Sequence, residues 1–387
     1  MHSKTPQQKN WLVVLLVLLG VAVALVPVVL RLPAPTGGGY GMVFVYLPAL
    51  IAVGACYALD RTFTKREKTE ALFFCIVFAF LTTYLHIWLV DLGQYFREFN
   101  NLDWQIYMHD AVVNLRADVA PEKIRTIPDS YRFLPNSLVR LFEQITGDFS
   151  TARDGYRNLF GVLLFYSLYR FARLFLRHGG SLFCLGLWAT VFPISFRYYA
   201  GQLTDPLSHL SFILAFIFIE TEQFVYLLLT LMIGCLAKES IVAMAGYYGF
   251  FRWREKSYVV KTILLVLAPA AVCVIARACV LRGAPNYEQI SGVAPGHVVD
   301  NWNDYTLWVP GLLYTVGIFC PFVLINWRNS PWSLRSLALY LFPVLFVSSL
   351  LFSWLREARN FMPLAAILAV LTVYHLVPGE RAEPASN

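Results

Sequence analysis

Apolar runs separated by short polar breaks make up nearly the whole chain. Runs close to the ~20 residues that a helix needs to cross a bilayer core recur at 11–30, 41–59, 71–90, 158–176 and 181–199. Further runs lie at 207–219, 224–237, 241–251, 258–280, 307–326, 337–355 and 361–376. This pattern predicts an all-α polytopic integral membrane protein, with about 12 transmembrane or half-spanning helices in a single membrane domain over 1–387. One long polar segment, 91–156, interrupts it and reads as a large extracytoplasmic loop carrying short interfacial helices. A second external loop is expected at 279–306.

The short loops at 60–70, 177–180, 252–256 and 328–335 are basic, and alternate crossings return each of them to one side, which is therefore the cytoplasm. Both termini fall on that side, as in a protein of a bacterial inner membrane. The first run, preceded by Lys4 and Lys9, is longer than a signal-peptide core and reads as an uncleaved anchor. The stretch 224–251 decides the parity. As one helix it would be about 42 Å long and would carry Lys238 and Glu239 at its middle, where each charge costs roughly 2.5–3.5 kcal/mol on insertion scales. A break at Lys238-Glu239 keeps the later basic loops inside. The two halves, each about 18–22 Å, are too short to cross, so the break should sit below the outer headgroups in a protein-lined cavity.

Composition agrees with the pattern: 58% of residues are hydrophobic, 14% are charged and the mean hydropathy is +0.58, which excludes an ordinary soluble domain. The net charge of +7 resides mainly in loops between spans, so anionic membrane lipids account for it and nucleic acid is not implied. Arg170, Arg173 and Arg177 are expected to meet lipid headgroups. The seven cysteines all lie in apolar runs without metal-ligand spacing and read as small core residues.

Candidate chemistry gathers on the outer side. In the long loop Asp103, Tyr107 and Asp110 stand at i, i+4 and i+7 of a helical pattern over 102–115 and share a face. Their carboxylates are about 10 Å apart along the axis, too far to share one small metal ion. His109 reads as an interfacial polar residue. Asp205 before Pro206 is either a helix cap or a site residue. Lys238 and Glu239 are either an internal ion pair or functional groups, and Arg356 and Arg359 are either snorkelling side chains or a pair directed at a phosphate.

Taken in order, Asp103-Trp104-Gln105-Ile106-Tyr107, Tyr131-Arg132-Phe133-Leu134-Pro135, Thr204-Asp205-Pro206-Leu207, Ala237-Lys238-Glu239-Ser240 and Arg356-Glu357-Ala358-Arg359-Asn360 resemble the GT-C class of polytopic membrane glycosyltransferases. The resemblance covers most of the chain from residue 91 onward. In many members the acidic loop follows the first span, whereas three spans precede it here. The resemblance implies inverting transfer of a sugar from a polyprenyl-phosphate-linked donor to a lipid, glycan or protein acceptor on the extracytoplasmic face. By it Asp103 would be the general base, while Tyr107, Asp110, Tyr131, Arg132, Asp205, Lys238, Glu239, Arg356, Glu357 and Arg359 would contact substrate. No cofactor is required, and a divalent cation such as Mg2+ or Mn2+ is permitted without being demanded. Twelve spans and intramembrane charge also fit a lipid or solute transporter or flippase, although no internal repeat is visible. A polysaccharide polymerase or ligase would use similar external arginines.

Overall fold

The computed structural model describes residues 43–91, 106, 109, 132–193, 203–280 and 295–382. Those residues are helical, with no strand beyond an isolated bridge between Leu176 and Arg381. The principal helices are α1 (Val43–Leu59), α2 (Lys65–Asp91), α3 (Phe133–Thr146), α4 (Phe149–Ala172), α5 (His178–Val191), α6 (Thr204–Glu220) and α7 (Phe224–Gly234). They continue as α8 (Ala243–Phe251), α9 (Tyr258–Val280), α10 (Pro295–Asn303), α11 (Tyr305–Leu312), α12 (Cys320–Ile325), α13 (Trp332–Phe352) and α14 (Met362–Leu376). The expected first span, the 102–115 helix except Ile106 and His109, and half of the 279–306 loop lie outside the described residues.

Among the described residues, three stretches are long and apolar enough to cross a membrane: Tyr258–Ala276, Trp332–Leu351 and Ala358–Leu376. Their surroundings differ. The last is 83% buried inside the bundle, whereas the first is 11% buried, with Val260, Leu267, Val274 and Ile275 exposed. Exposed branched side chains on a helix this apolar are what a hydrocarbon solvent tolerates and water does not.

The break expected at Lys238-Glu239 is present, and its form is a hairpin. α7 ends at Gly234, Lys238 is extended, and a short tight helical turn over Glu239–Val242 leads into α8. Phe224 at the start of α7 lies 6.0 Å from Tyr248 near the end of α8, so the two arms run back to the same end of the bundle. At 11 and 9 residues the arms are about 16 and 14 Å long, shorter than the sequence suggested. Gly234 lets α7 press onto α6: a Cβ there would come within 2.8 Å of the Ser211 Cβ.

One boundary differs from expectation. α4 begins at Phe149, nine residues before the apolar run at 158, because Asp148 caps it by accepting a hydrogen bond from the Thr151 N–H. Arg153 pairs with Asp154 at 3.0 Å and both are mostly enclosed, so this polar first part of α4 packs instead of facing solvent. A small second core of Val139, Phe149, Ala152, Tyr156 and Leu203, with Ile106 against it, joins α3 to the start of α4.

The helix ends sort into two groups. At one end Arg173 meets Glu67 at 3.0 Å, Arg170 meets Asp60 at 3.5 Å and His178 meets Glu70 at 2.7 Å. Glu222 and Arg252 pair at 2.6 Å, and Ala382 N–H reaches the Phe175 carbonyl, which brings the chain beyond α14 to the same end. Arg170 and Arg173 are therefore engaged by Asp60 and Glu67, partners that the sequence reading did not assign to them. The opposite end is the junction described next.

Candidate functional site

Four separated polar segments converge where α6, the α7–α8 hairpin and α14 begin or turn. Arg359, in the tight turn Ala358–Phe361 ahead of α14, is 2% exposed and lies 2.9 Å from Glu357 and 3.5 Å from Asp205. Lys238 donates from Nζ to the Asn360 side-chain oxygen at 2.6 Å. Arg132 donates from Nε to Glu239 at 3.3 Å, and the Leu134 N–H reaches the Leu236 carbonyl at 3.4 Å, so the start of α3 is tied to the hairpin. Arg356 donates to Asp304 at 2.9 Å. Lys238 is within electrostatic reach of Asp205, Arg359, Arg132 and Glu357.

These contacts resolve alternatives that the residue types left open. Lys238 and Glu239 do not pair with each other; each reaches a different segment. Asp205 does not cap α6, whose preceding residue is Leu203 with no side-chain capping bond; Asp205 is 3% exposed and turns one oxygen to Arg359. Arg359 is buried and is no snorkelling side chain. Arg356 and Arg359, three positions apart, go to separate carboxylates and do not act as a parallel pair.

Second contacts hold these groups in place. Ser353 donates to Glu357 at 3.1 Å. Asn301 on α10 donates to the Ser353 and Leu350 carbonyls at 3.0 and 3.1 Å and accepts from the Leu355 N–H at 2.7 Å, fastening the turn that presents Arg356. Tyr156 donates to the Leu203 carbonyl at 2.8 Å and fixes the start of α6 against α4. Trp188 donates to the Met362 carbonyl at 3.3 Å and seats α14.

Asp103, Tyr107, Asp110 and Tyr131 lie outside the described residues. Their neighbour His109 is described, and it is not interfacial: it is 1% exposed, with Nδ1 3.3 Å from the Asn136 oxygen and Nε2 3.3 Å from Glu143. Arg140 also reaches Glu143, at 2.6 Å. Burial opposes charge on Glu143, yet the hydrogen bonds from His109 and Arg140 prevail and hold its carboxyl below the usual range. This cluster, with Ile106 in the small core, docks Ile106 and His109 onto α3 and α4.

His209 was not singled out from the sequence. It lies one helical turn after Asp205 on α6, is 2% exposed, and neither ring nitrogen has a hydrogen-bond partner among the described residues. Lys238 and Arg359 are within its electrostatic reach. The usable signal was the i, i+4 spacing from Asp205. Among the described residues no three His, Cys, Asp or Glu side chains converge to hold a metal ion. The arrangement can therefore supply cations, carboxylates and unfilled hydrogen-bonding atoms at one enclosed place.

No family model matches the chain, and no curated protein or solved structure matches it.

Proposed function

We propose that the chain is a multi-pass membrane glycosyltransferase of GT-C type, with about twelve crossings or half-crossings and the junction on the extracytoplasmic side. The observation that carries this reading is the convergence of Asp205, Lys238, Glu357 and Arg359 at one buried place from segments far apart in sequence. Buried ionisable residues at membrane depth are costly and mark sites of function. The reaction is transfer of a sugar from a polyprenyl-phosphate-linked donor. An acceptor hydroxyl oxygen attacks the anomeric carbon as the carbon–oxygen bond to phosphate breaks. The hydroxyl proton goes to a carboxylate, assigned to Asp103, and the bonding electrons leave on the polyprenyl phosphate. Cations near the departing phosphate stabilise the charge that builds there, and a low-dielectric setting strengthens that effect.

Lys238 suits this last task. Among the four cations of the junction it is the one whose direct partner is a neutral amide, so it can take a phosphate oxygen without breaking an ion pair. Asp103→Asn in membranes supplied with polyprenyl-phosphate pentose and hexose donors should abolish sugar transfer while the protein remains folded and inserted. Full activity in that variant would remove the base assignment. Uptake into proteoliposomes without any glycoside product would favour a transporter, and transfer of whole preassembled glycans a ligase.

A further inference from the structure

Three hydrogen-bonding atoms stand unfilled on the first two turns of α6: Asp205 Oδ1 and both ring nitrogens of His209. Their residues are 3% and 2% exposed, so bulk water does not serve them, and an unfilled buried polar atom is a disfavoured feature that a native protein retains for a reason. Asp205 and His209 are one turn apart, separated by about 6 Å along the helix axis, and lie on one face. The kind of atom left unfilled restricts what can fill it. Asp205 Oδ1 accepts only, while a neutral imidazole offers one N–H donor and one acceptor. An ionised phosphate is an acceptor: it could satisfy one of the three atoms and would be repelled by the carboxylate. Hydroxyl groups donate and accept, and two or more of them on one ring satisfy the set.

We propose that Asp205 and His209 form the sugar-recognising part of the junction, binding ring hydroxyls of the donor's glycosyl group, while the phosphate is held apart from them at Lys238. The inference rests on the glycosyltransferase reading and adds to it a division of the donor between two sets of residues. His209 is a binding residue here, with no proton to transfer.

The test uses purified full-length protein in detergent and two probes, farnesyl phosphate and farnesyl-phosphate-linked hexose or pentose, with affinity read from ligand-induced shifts in thermal unfolding. Wild type should bind the sugar-linked probe more tightly than the bare phosphate. His209→Phe should lose roughly tenfold to a hundredfold in affinity for the sugar-linked probe and keep its affinity for farnesyl phosphate. His209→Gln, which retains a donor and an acceptor, should recover part of the loss. Without ligand, His209→Phe should unfold no earlier than wild type, because it removes two unfilled buried nitrogens. Equal binding of both probes by wild type and His209→Phe would overturn the assignment and leave the glycosyltransferase reading standing; ordered water alone would then fill the position. Loss of farnesyl phosphate binding in His209→Phe would overturn it too, by placing the phosphate at α6. Wild type that binds neither probe would overturn both the reading and the inference built on it.

Discussion

Arg359→Met is the most direct probe of how the junction is held. The guanidinium is 2% exposed, and its partners Glu357 and Asp205 have side chains 8% and 4% exposed, so all three charges are desolvated. Methionine keeps an unbranched apolar stem and removes the charge, leaving two buried carboxylates with Lys238 as the cation still near both. Deleting one member of a buried pair costs about 3–5 kcal/mol, mainly because the survivor stays desolvated. Glu357 keeps its hydrogen bond from Ser353, which places the expected loss near the low end, at about 3 kcal/mol. Distance then ranks the partners. Glu357 at 2.9 Å is within normal hydrogen-bond length and Asp205 at 3.5 Å is at its limit. Double-mutant cycles with Glu357→Gln and Asp205→Asn should therefore give coupling of about 1.5–3 kcal/mol for the first pair and below about 1 kcal/mol for the second. The assay is equilibrium unfolding of detergent-solubilised protein by sodium dodecyl sulfate titration. The triple variant should recover part of the loss, since neither carboxylate is left without Arg359, while Lys238 loses the two acids near it. An Arg359→Met protein within about 0.5 kcal/mol of wild type, or a larger coupling to Asp205 than to Glu357, would refute the reasoning.

Three further outcomes follow from single contacts. Asn301→Ala removes the hydrogen bonds that fasten the turn ahead of Arg356 and should cost about 2–3 kcal/mol, with faster proteolysis within 349–357; an unchanged cleavage pattern would count against it. Glu143 has its carboxyl held below the usual range, so its contribution is fully present above the unfolded value near 4.5 and is lost as pH falls through the lower folded value. Glu143→Gln should accordingly be less stable than wild type at pH 6–7 by about 1–3 kcal/mol, and unfolding curves should converge as the pH falls through the lowered folded value. Gly234→Ala should cost about 1–3 kcal/mol through overpacking against Ser211, and Ser211→Gly in the same chain should restore the midpoint; no restoration would place the strain elsewhere.

The hairpin at 224–251 was legible because two independent quantities agreed: the cost of a mid-helix Lys-Glu and the sidedness of every later basic loop. Neither needs knowledge of partners. The start of α4 was not legible for the complementary reason. Arg153 and Asp154 count as polar in any hydropathy window, yet the helix runs back to Asp148 because a cap starts it there and the two side chains pair with each other. Hydropathy scores residue types, whereas burial follows from whether a polar group has found its partner. The partners of Arg170 and Arg173 were hidden in the same way: the sequence shows surplus cations near a membrane face and cannot show that Asp60 and Glu67, about a hundred residues earlier, come to meet them.

The same limit shaped the site. From the sequence, Arg132, Lys238, Arg356 and Arg359 form a set of cations that invites a phosphate. In the structure Arg132, Arg356 and Arg359 each face a carboxylate, Glu239, Asp304, and Glu357 with Asp205 respectively. An arriving phosphate would have to compete with those acids, and at Arg359, whose partners are buried, displacing a matched carboxylate would leave a buried charge behind. Lys238 alone of the four is held by a neutral group, so the pull on an anion is concentrated at one residue and not spread over four. What distinguishes the remainder of the junction is unmatched hydrogen bonding on α6, and that is invisible to any count of charge. His209 sits between Ser208 and Ser211 in a mainly apolar run, the commonest appearance of a satisfied core histidine. Only the missing partners set it apart, and partners are a property of the fold.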